Sequence, residues 1–420
     1  MEELAGCSNV IENMSLEHVA VTFVVLLLLA FLAEPISKLV RLPYSSVLVI
    51  AGYVTSELAV MSGIDTGIRA ENFHDLIFYV FIPVLVFESA YKINKNLLLE
   101  NIIPIMILAV VGLLMTASLT AVGLYYGIAH PSGFPLIAAL ITGSILAATD
   151  PVAVVARLRE IGVPERLSVL LEGESLFNDA TAIVLFSLFL SMALSMENTV
   201  TASGVIVEFM KIFFGGLATG LATGLTAGLV NKGINNTLMT GVLTLIVAYG
   251  SYLLAEELFE VSGVMSTLVA AIVMSVMVGK EKGENTLVKN EYLWDVLGHI
   301  ANAIVFIIMG VTITLGMFEE RWLAMLIAIA AVFVARAVST YGSMSLLGLF
   351  QKKPVDLRSQ TVMVWGGLRG AVALALALSI PVTLDYWWTI QSIAFGVVLF
   401  SLFIQAPTIR ILVDKLGLRK

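Results

Sequence analysis

Apolar residues along this chain come in blocks of about 20, the length at which a helix spans the hydrocarbon core of a bilayer. Thirteen blocks can be drawn: 16–36, 43–60, 73–91, 102–128, 134–156, 168–194, 202–230, 236–255, 262–279, 291–316, 322–348, 359–380 and 388–409. No soluble domain fits between them. The pattern predicts an all-α polytopic membrane protein with 13 transmembrane helices. Residues 1–15 carry acids but no basic n-region, so they read as a short extracellular tail and not as a signal peptide.

Composition narrows the function classes. Of the 420 residues, 59% are hydrophobic and only 13% charged, and the mean hydropathy is +0.98. A soluble chain carries roughly 25% charged residues. A water-soluble enzyme, a nucleic-acid binder and a disordered scaffold are excluded. The single cysteine, Cys7, rules out a disulfide framework and a cysteine-based metal site. His18, His74, His130 and His299 are scattered and form no ligand cluster in sequence. The net charge of -8 is carried mostly by loops.

The loop cations orient the chain. Lys38, Arg41, Lys92, Lys95, Arg157, Arg159, Arg166, Lys232, Lys280, Lys282, Lys289, Lys352, Lys353, Arg358, Arg410, Lys415, Arg419 and Lys420 fall on one side, and only Arg69 and Arg321 on the other. Basic loops stay in the cytoplasm. The N-terminus is therefore expected outside and the C-terminus inside, an alternation that a missed or invented span would destroy.

An odd count suits two inverted six-helix repeats, spans 1–6 and 8–13, joined by a linker helix. Such folds place their site at the midplane, on discontinuous helices in matching positions of the two halves. Breakers lie deep in spans 5 and 12, which are expected to be broken and to cross. Span 5 has Ala148-Thr149-Asp150-Pro151, and span 12 has Gly366-Gly367-Leu368-Arg369-Gly370. Proline kinks and glycine packing faces are common in membrane helices, but a charge at both breaks points to function.

Charges inside the bilayer cost about 2.5–3.5 kcal/mol each on insertion scales. The deep ones are Glu88, Asp150, Glu172, Glu174, Asp179, Arg336 and Arg369. Glu208 and Lys211 form a local pair on span 7. Arg336 reads as a structural partner or a snorkelling residue. In span 6, Glu172, Ser175 and Asp179 fall on one helical stripe bordered by Asn178. A buried structural network fits Glu174 but not Asp179, which has no basic residue within two turns. Pro151 clashes with the carbonyl of Ala147 and opens the chain near Thr149 and Asp150. Carbonyls freed there can coordinate a cation, and exposed N–H groups favour a carboxylate. Asp150 thus reads mainly as a dipole-neutralising anchor, with Thr149 supplying oxygen to an ion.

These are hard oxygen ligands without thiolate or imidazole, which selects an alkali or alkaline-earth cation. Few negative charges, diluted by Ser, Thr and Asn, suit a monovalent ion. A carboxylate that sheds water beside other acids can titrate near neutral pH. It can then take either a proton or a metal ion, and one site with two exclusive occupants is the physical core of exchange.

Thr149-Asp150-Pro151, the run Glu172 to Asp179 (EGESLFND) and Gly366 to Ala371 (GGLRGA) together resemble the sodium/proton antiporters of the cation/proton antiporter superfamily, in their NhaP-type, electroneutral branch. The motifs stand in the family's order and the resemblance covers essentially the whole chain. It implies a homodimer with a dimer domain of helices 1–3 (16–91) and 8–10 (236–316). A transport domain of helices 4–6 (102–194) and 11–13 (322–409) would move against it, with linker helix 7 at 202–230. It implies that Asp179 binds the ion and the proton, with Asn178 its neutral neighbour. Thr149, Asp150, Ser175 and Glu88 join Asp179 around Na⁺, Glu88 reaching in from the dimer side. Glu174 and Arg369 become a buried pair tying spans 6 and 12. A guanidinium there must be paired, and Glu174 lies about 140° around its helix from Asp179, free to face span 12.

The expected activity is exchange of Na⁺ (or Li⁺) for H⁺, one for one, serving pH and sodium homeostasis without a cofactor. The expected setting is the plasma membrane of a bacterium or archaeon, with membrane lipids and a second copy as partners and no nucleic acid. A short cytoplasmic tail, 410–420, leaves no room for a regulatory domain. Three alternatives remain: K⁺ as an additional or main substrate, a cation channel, and a membrane-embedded hydrolase. No filter-like loop supports the second, and no nucleophile–base or metal motif the third.

Overall fold

The computed structural model describes residues 16–40, 42–62, 76–128, 134–151, 154–155, 158, 161–194, 202–348 and 354–418. The tail 1–15 with Cys7, the histidines His74 and His130, and the loop cations Arg41, Arg69, Arg157, Arg159, Lys352, Lys353, Arg419 and Lys420 lie outside these residues.

Among the described residues the regular structure is helical throughout. The helices are α1 (Leu16–Val40), α2 (Tyr44–Met61), α3 (77–92), α4 (Lys95–Glu100), α5 (Ile102–Gly127), α6 (Leu136–Ala147), α7 (Glu165–Leu194), α8 (Ala202–Lys232), α9 (Thr237–Leu258), α10 (Gly263–Lys282), α11 (Glu284–Thr312), α12 (Leu315–Gly348), α13 (Leu357–Gly366), α14 (Ala371–Leu378) and α15 (Trp387–Leu416). Eleven segments are long and apolar enough to cross a membrane, α13 and α14 counting together as one. Predicted spans 3 and 5 correspond to α3 and α6, which fall short of that length among the described residues.

Three helix ends run about two turns beyond the apolar blocks. α11 starts at Glu284 and not at 291, and α12 at Leu315 and not at 322, so only Ile313 and Thr314 connect them. Charged turns such as Glu319-Glu320-Arg321 satisfy their own backbone while their side chains reach water, so a helix outlasts its apolar block. α15 likewise runs to Leu416, past 409, because Ile409 and Val413, one turn apart, are buried. Most of the expected tail 410–420 is therefore the last turns of a helix.

Packing divides the helices into two groups. α2, α3, α10 and α11 pack on one another, with α1, α8 and α9 around them; α5, α6, α7, α12, α13, α14 and α15 form the second group. In the first group Gly52 of α2 and Gly310 of α11 meet so closely that a Cβ on either would run into the other helix's backbone. Small residues at such crossings let membrane helices gain van der Waals contact without a hydrophobic driving force. α7 is buried over most of its length.

Candidate ion-binding site

Two helix interruptions face each other in the second group. α6 stops at Ala147, and Ala148, Thr149, Asp150 and Pro151 follow in non-helical conformation. Pro151 explains the stop, since it lacks an N–H and its ring excludes the carbonyl four residues back. α13 stops at Gly366 and α14 begins at Ala371, with Gly367 to Gly370 unwound between them. The two breaks exchange their polar groups. The Asp150 amide donates to the Leu368 carbonyl at 2.8 Å. The Ala371 amide, at the start of α14, donates to Asp150 Oδ2 at 3.3 Å. In return, Arg369 Nη1 donates to the carbonyls of Ala147 at 2.9 Å and Ala148 at 2.7 Å, at the end of α6. Each charge thus sits on the oppositely polarised end of the other broken helix, where terminal groups lack intrahelical partners. Gly370 is required by this contact, because a Cβ there would occupy the space of the Asp150 carboxylate.

A hydroxyl from a following helix steadies each break. Ser175 of α7 donates to the Thr149 carbonyl. Ser401 of α15 accepts the Arg369 amide at 3.2 Å and donates to Gln405 Oε1 at 2.6 Å, within a π-helical turn over Ser401–Gln405.

The expected Glu174–Arg369 pair is replaced by another. Glu174 is held by Arg336 of α12 through a forked contact: Nη1 to Oε1, and Nη2 to Oε2 at 2.8 Å. Arg369 goes to carbonyls instead, because the end of α6 offers it acceptors with no intrahelical donor. Both arginines and Glu174 are buried.

Asp150, Ser175 and Asp179 line a cavity of about 750 Å³ that separates α3 and α11 on one side from α7, α14 and the α6 break on the other. The stripe read from α7 faces it, since Glu172 lines it too. Asp179 meets the Thr149 amide, and Asp150, Arg369 and Glu174 lie within electrostatic reach of it. Its Oδ1 has no hydrogen-bond partner in the protein. Asn178, fully buried beside it, has none for either side-chain polar atom. Thr149 is buried and contributes its backbone to Ser175 and Asp179.

Glu88 lines the cavity from α3 as expected, but it is engaged. Lys92 reaches its Oε1 at 2.7 Å and also contacts Asp295 of α11, and Ser89 donates to Glu88 Oε2 at 3.1 Å. Among the described residues no three carboxylate, imidazole or thiolate groups converge as a metal-binding cluster. Of the five residues expected around Na⁺, Asp150, Ser175, Asp179 and Glu88 line this one cavity, Thr149 is buried behind Ser175 and Asp179, and Glu88 is held by Lys92.

Sequence reading missed the α11 wall of the cavity: Glu291, Asp295, His299 and Asn302. The signal was present, since these residues recur every three or four positions along one helix face. Glu291 opens the apolar block drawn at 291–316 and Asp295 follows one turn inside it, at the charged edge of a span where hydropathy gives no weight to a shared face.

A family model described as sodium/hydrogen exchanger, transmembrane, matches residues 24–415. The Na(+)/H(+) antiporter ApNhaP of Aphanothece halophytica is 36% identical over 422 residues, covering 100% of this chain and 78% of that protein. The low-affinity Na(+)/H(+) antiporter NhaS1 of Synechocystis is 33% identical, covering 96% of this chain and 75% of its own. The solved structure of the sodium proton antiporter MjNhaP1 from Methanocaldococcus jannaschii superposes with a TM-score of 0.78 at 20% identity, over 96% of this chain and 100% of that one. Shared helical architecture, a match along nearly the whole sequence and two long-range relatives of one kind lead to one placement: the chain belongs to the sodium/hydrogen exchanger family.

Proposed function

We propose that this protein exchanges Na⁺ (or Li⁺) for H⁺ across a cell membrane, one for one, by alternating access. The observation that carries the reading is Asp179: a half-buried carboxylate on the wall of an open cavity, with one oxygen free of protein donors, between two separately packed helix groups. The names of its relatives, Na(+)/H(+) antiporters, support the choice of ions.

Charge bookkeeping in the second helix group supports the stoichiometry. Glu174 is matched by Arg336. Asp150 and Arg369 sit on each other's broken helices with opposite signs. At the crossing of the two breaks, Asp179 is then the charge without a fixed counterpart. Empty, the site is one unit negative; with one H⁺ or one Na⁺ it is neutral. A bare carboxylate crossing the hydrocarbon seal costs several kcal/mol, whereas a loaded one does not, so the second group moves only when Asp179 is occupied. Asp179, Ser175 and the break at Thr149 and Asp150 supply the oxygens for Na⁺. Glu88 joins them only when released from Lys92.

The cavity mouth carries Lys92, and the basic side of the chain is the cytoplasmic one by loop charge. The conformation is therefore the inward-facing one. The helix group containing α2, α3 and α11 is the static part and the seat of a homodimer, and the protein lies in a plasma membrane with its N-terminus outside. K⁺ in place of Na⁺ uses the same geometry, and a channel is the remaining rival. The test is reconstitution into liposomes with an internal pH dye, adding each alkali cation in turn. Proton release driven by Na⁺ and Li⁺ is expected; a proton flux that needs no cation on the opposite side points to a channel and overturns the reading.

A further inference from the structure

Among the described residues, six carboxylates line the cavity: Glu88, Asp150, Glu172, Asp179, Glu291 and Asp295. Lys92 is the one Lys or Arg among the described lining residues. It lies one turn beyond Glu88 on α3 and reaches across to Asp295 on α11, so a single ammonium serves two carboxylates on different helices. Glu88 is confined on its far side by Gly298, where a Cβ would come within 2.7 Å of its Cγ. The side chains of Lys92, Glu88 and Asp295 are 37%, 18% and 48% exposed. The bridge is therefore wet and exchangeable, and pairs of that kind contribute little to stability.

We propose that Lys92 is a tethered internal cation that sets the apparent affinity of the cavity for Na⁺. This rests on the reading of the cavity as the ion's path to Asp179. The Lys92 ammonium occupies Glu88 and Asp295 in the place a mobile cation would take. Its charge also lowers the negative potential that draws cations inward. Removing it leaves the cavity one unit more negative and frees two carboxylates. The sign is diagnostic: damage to a transporter raises the substrate concentration it needs, whereas loss of a competing cation lowers it. His299 and Glu291 face the same space and stay in place in the variants below.

The experiment uses everted membrane vesicles, which present the cytoplasmic mouth, and measures the Na⁺ concentration that half-saturates proton movement. Lys92→Gln is expected to lower it by about threefold to fivefold, the effect of one unit charge a few ångströms away across water. The shift should shrink as choline chloride screens the charge. Lys92→Arg, which keeps the cation, retains the wild-type value. Asp295→Asn raises it, and Lys92→Gln combined with Asp295→Asn brings it back toward wild type. Na⁺-dependent protection of the purified protein against thermal unfolding gives the same ranking by binding alone. If the wild type shows no exchange, the antiport reading fails, and the protection assay still tests Lys92. An unchanged or raised half-saturation in folded Lys92→Gln overturns the proposal.

Discussion

Arg336 of α12 grips Glu174 of α7 with two guanidinium nitrogens, the outer contact measuring 2.8 Å, and both side chains are almost completely buried. Removing one member of a buried pair leaves the other charge unmatched, at about 3–5 kcal/mol. Arg336→Ala and Glu174→Ala are each expected to lower the melting temperature of the purified protein sharply, and the double change to recover part of the loss. Arg336→Lys should do poorly, because a point charge replaces a planar fork. A double-mutant cycle on melting temperature decides: strict additivity would show that the two residues do not act as partners. The same cycle for Glu174 with Arg369 should give a smaller coupling.

Asp179 is expected to be indispensable for exchange and dispensable for folding. It lines the cavity and has no forked arginine partner, so Asp179→Asn and Asp179→Ala leave no opposite charge stranded. Both variants should purify as the wild type does and show no Na⁺-driven proton movement. Near-normal exchange in Asp179→Ala would sink the shared-site mechanism.

Gly370→Ala is expected to abolish transport through geometry alone. The added methyl has to displace the Asp150 carboxylate from the amide of Ala371 or reopen the crossing of the two breaks. Gly250→Ala, where a Cβ meets open space, serves as the control and should remain active. Equal activity in the two variants would mean that the contact between Asp150 and α14 is not needed.

One-for-one exchange moves no net charge. An imposed membrane potential should therefore leave the rate nearly unchanged, although a transferred elementary charge would feel about 2.3 kcal/mol per 100 mV. Liposomes clamped with K⁺ and valinomycin provide the measurement. A rate that follows the clamp would exclude the stoichiometry and would require a second titrating group beside Asp179.

Competition fixes the direction of the pH effect. Protons and Na⁺ exclude each other at Asp179, so acid fills the site with protons and more Na⁺ is needed to displace them. The apparent KM for Na⁺ should rise as pH falls, in proportion to proton concentration below the point where the site titrates, while the maximal rate stays constant. Initial rates over a Na⁺ series at several symmetrical pH values test this. A falling maximal rate at fixed KM would instead indicate a separate pH-sensing site.

The class of the fold was legible because burial of a helix in lipid depends on the composition of one block at a time. The interruptions were legible for a covalent reason: Pro151 has no N–H to give, and the Gly366–Gly370 run marked the second break before any contact was known. The stripe Glu172, Ser175 and Asp179 followed from helical pitch alone, and all three line the cavity. Pairing was a different matter. Glu174 had two candidate guanidiniums, and its partner proved to be Arg336, 162 positions away, with Arg369 given to the end of α6. No local rule ranks partners so distant, because Coulomb energy and hydrogen bonding depend on where two helices cross, and a crossing is set by the packing of the whole bundle. For the same reason Glu88 and Asp295 share Lys92 only once α3 lies against α11. Pitch and hydropathy decided which groups enter the membrane and which face they share; the tertiary structure decided which charges meet.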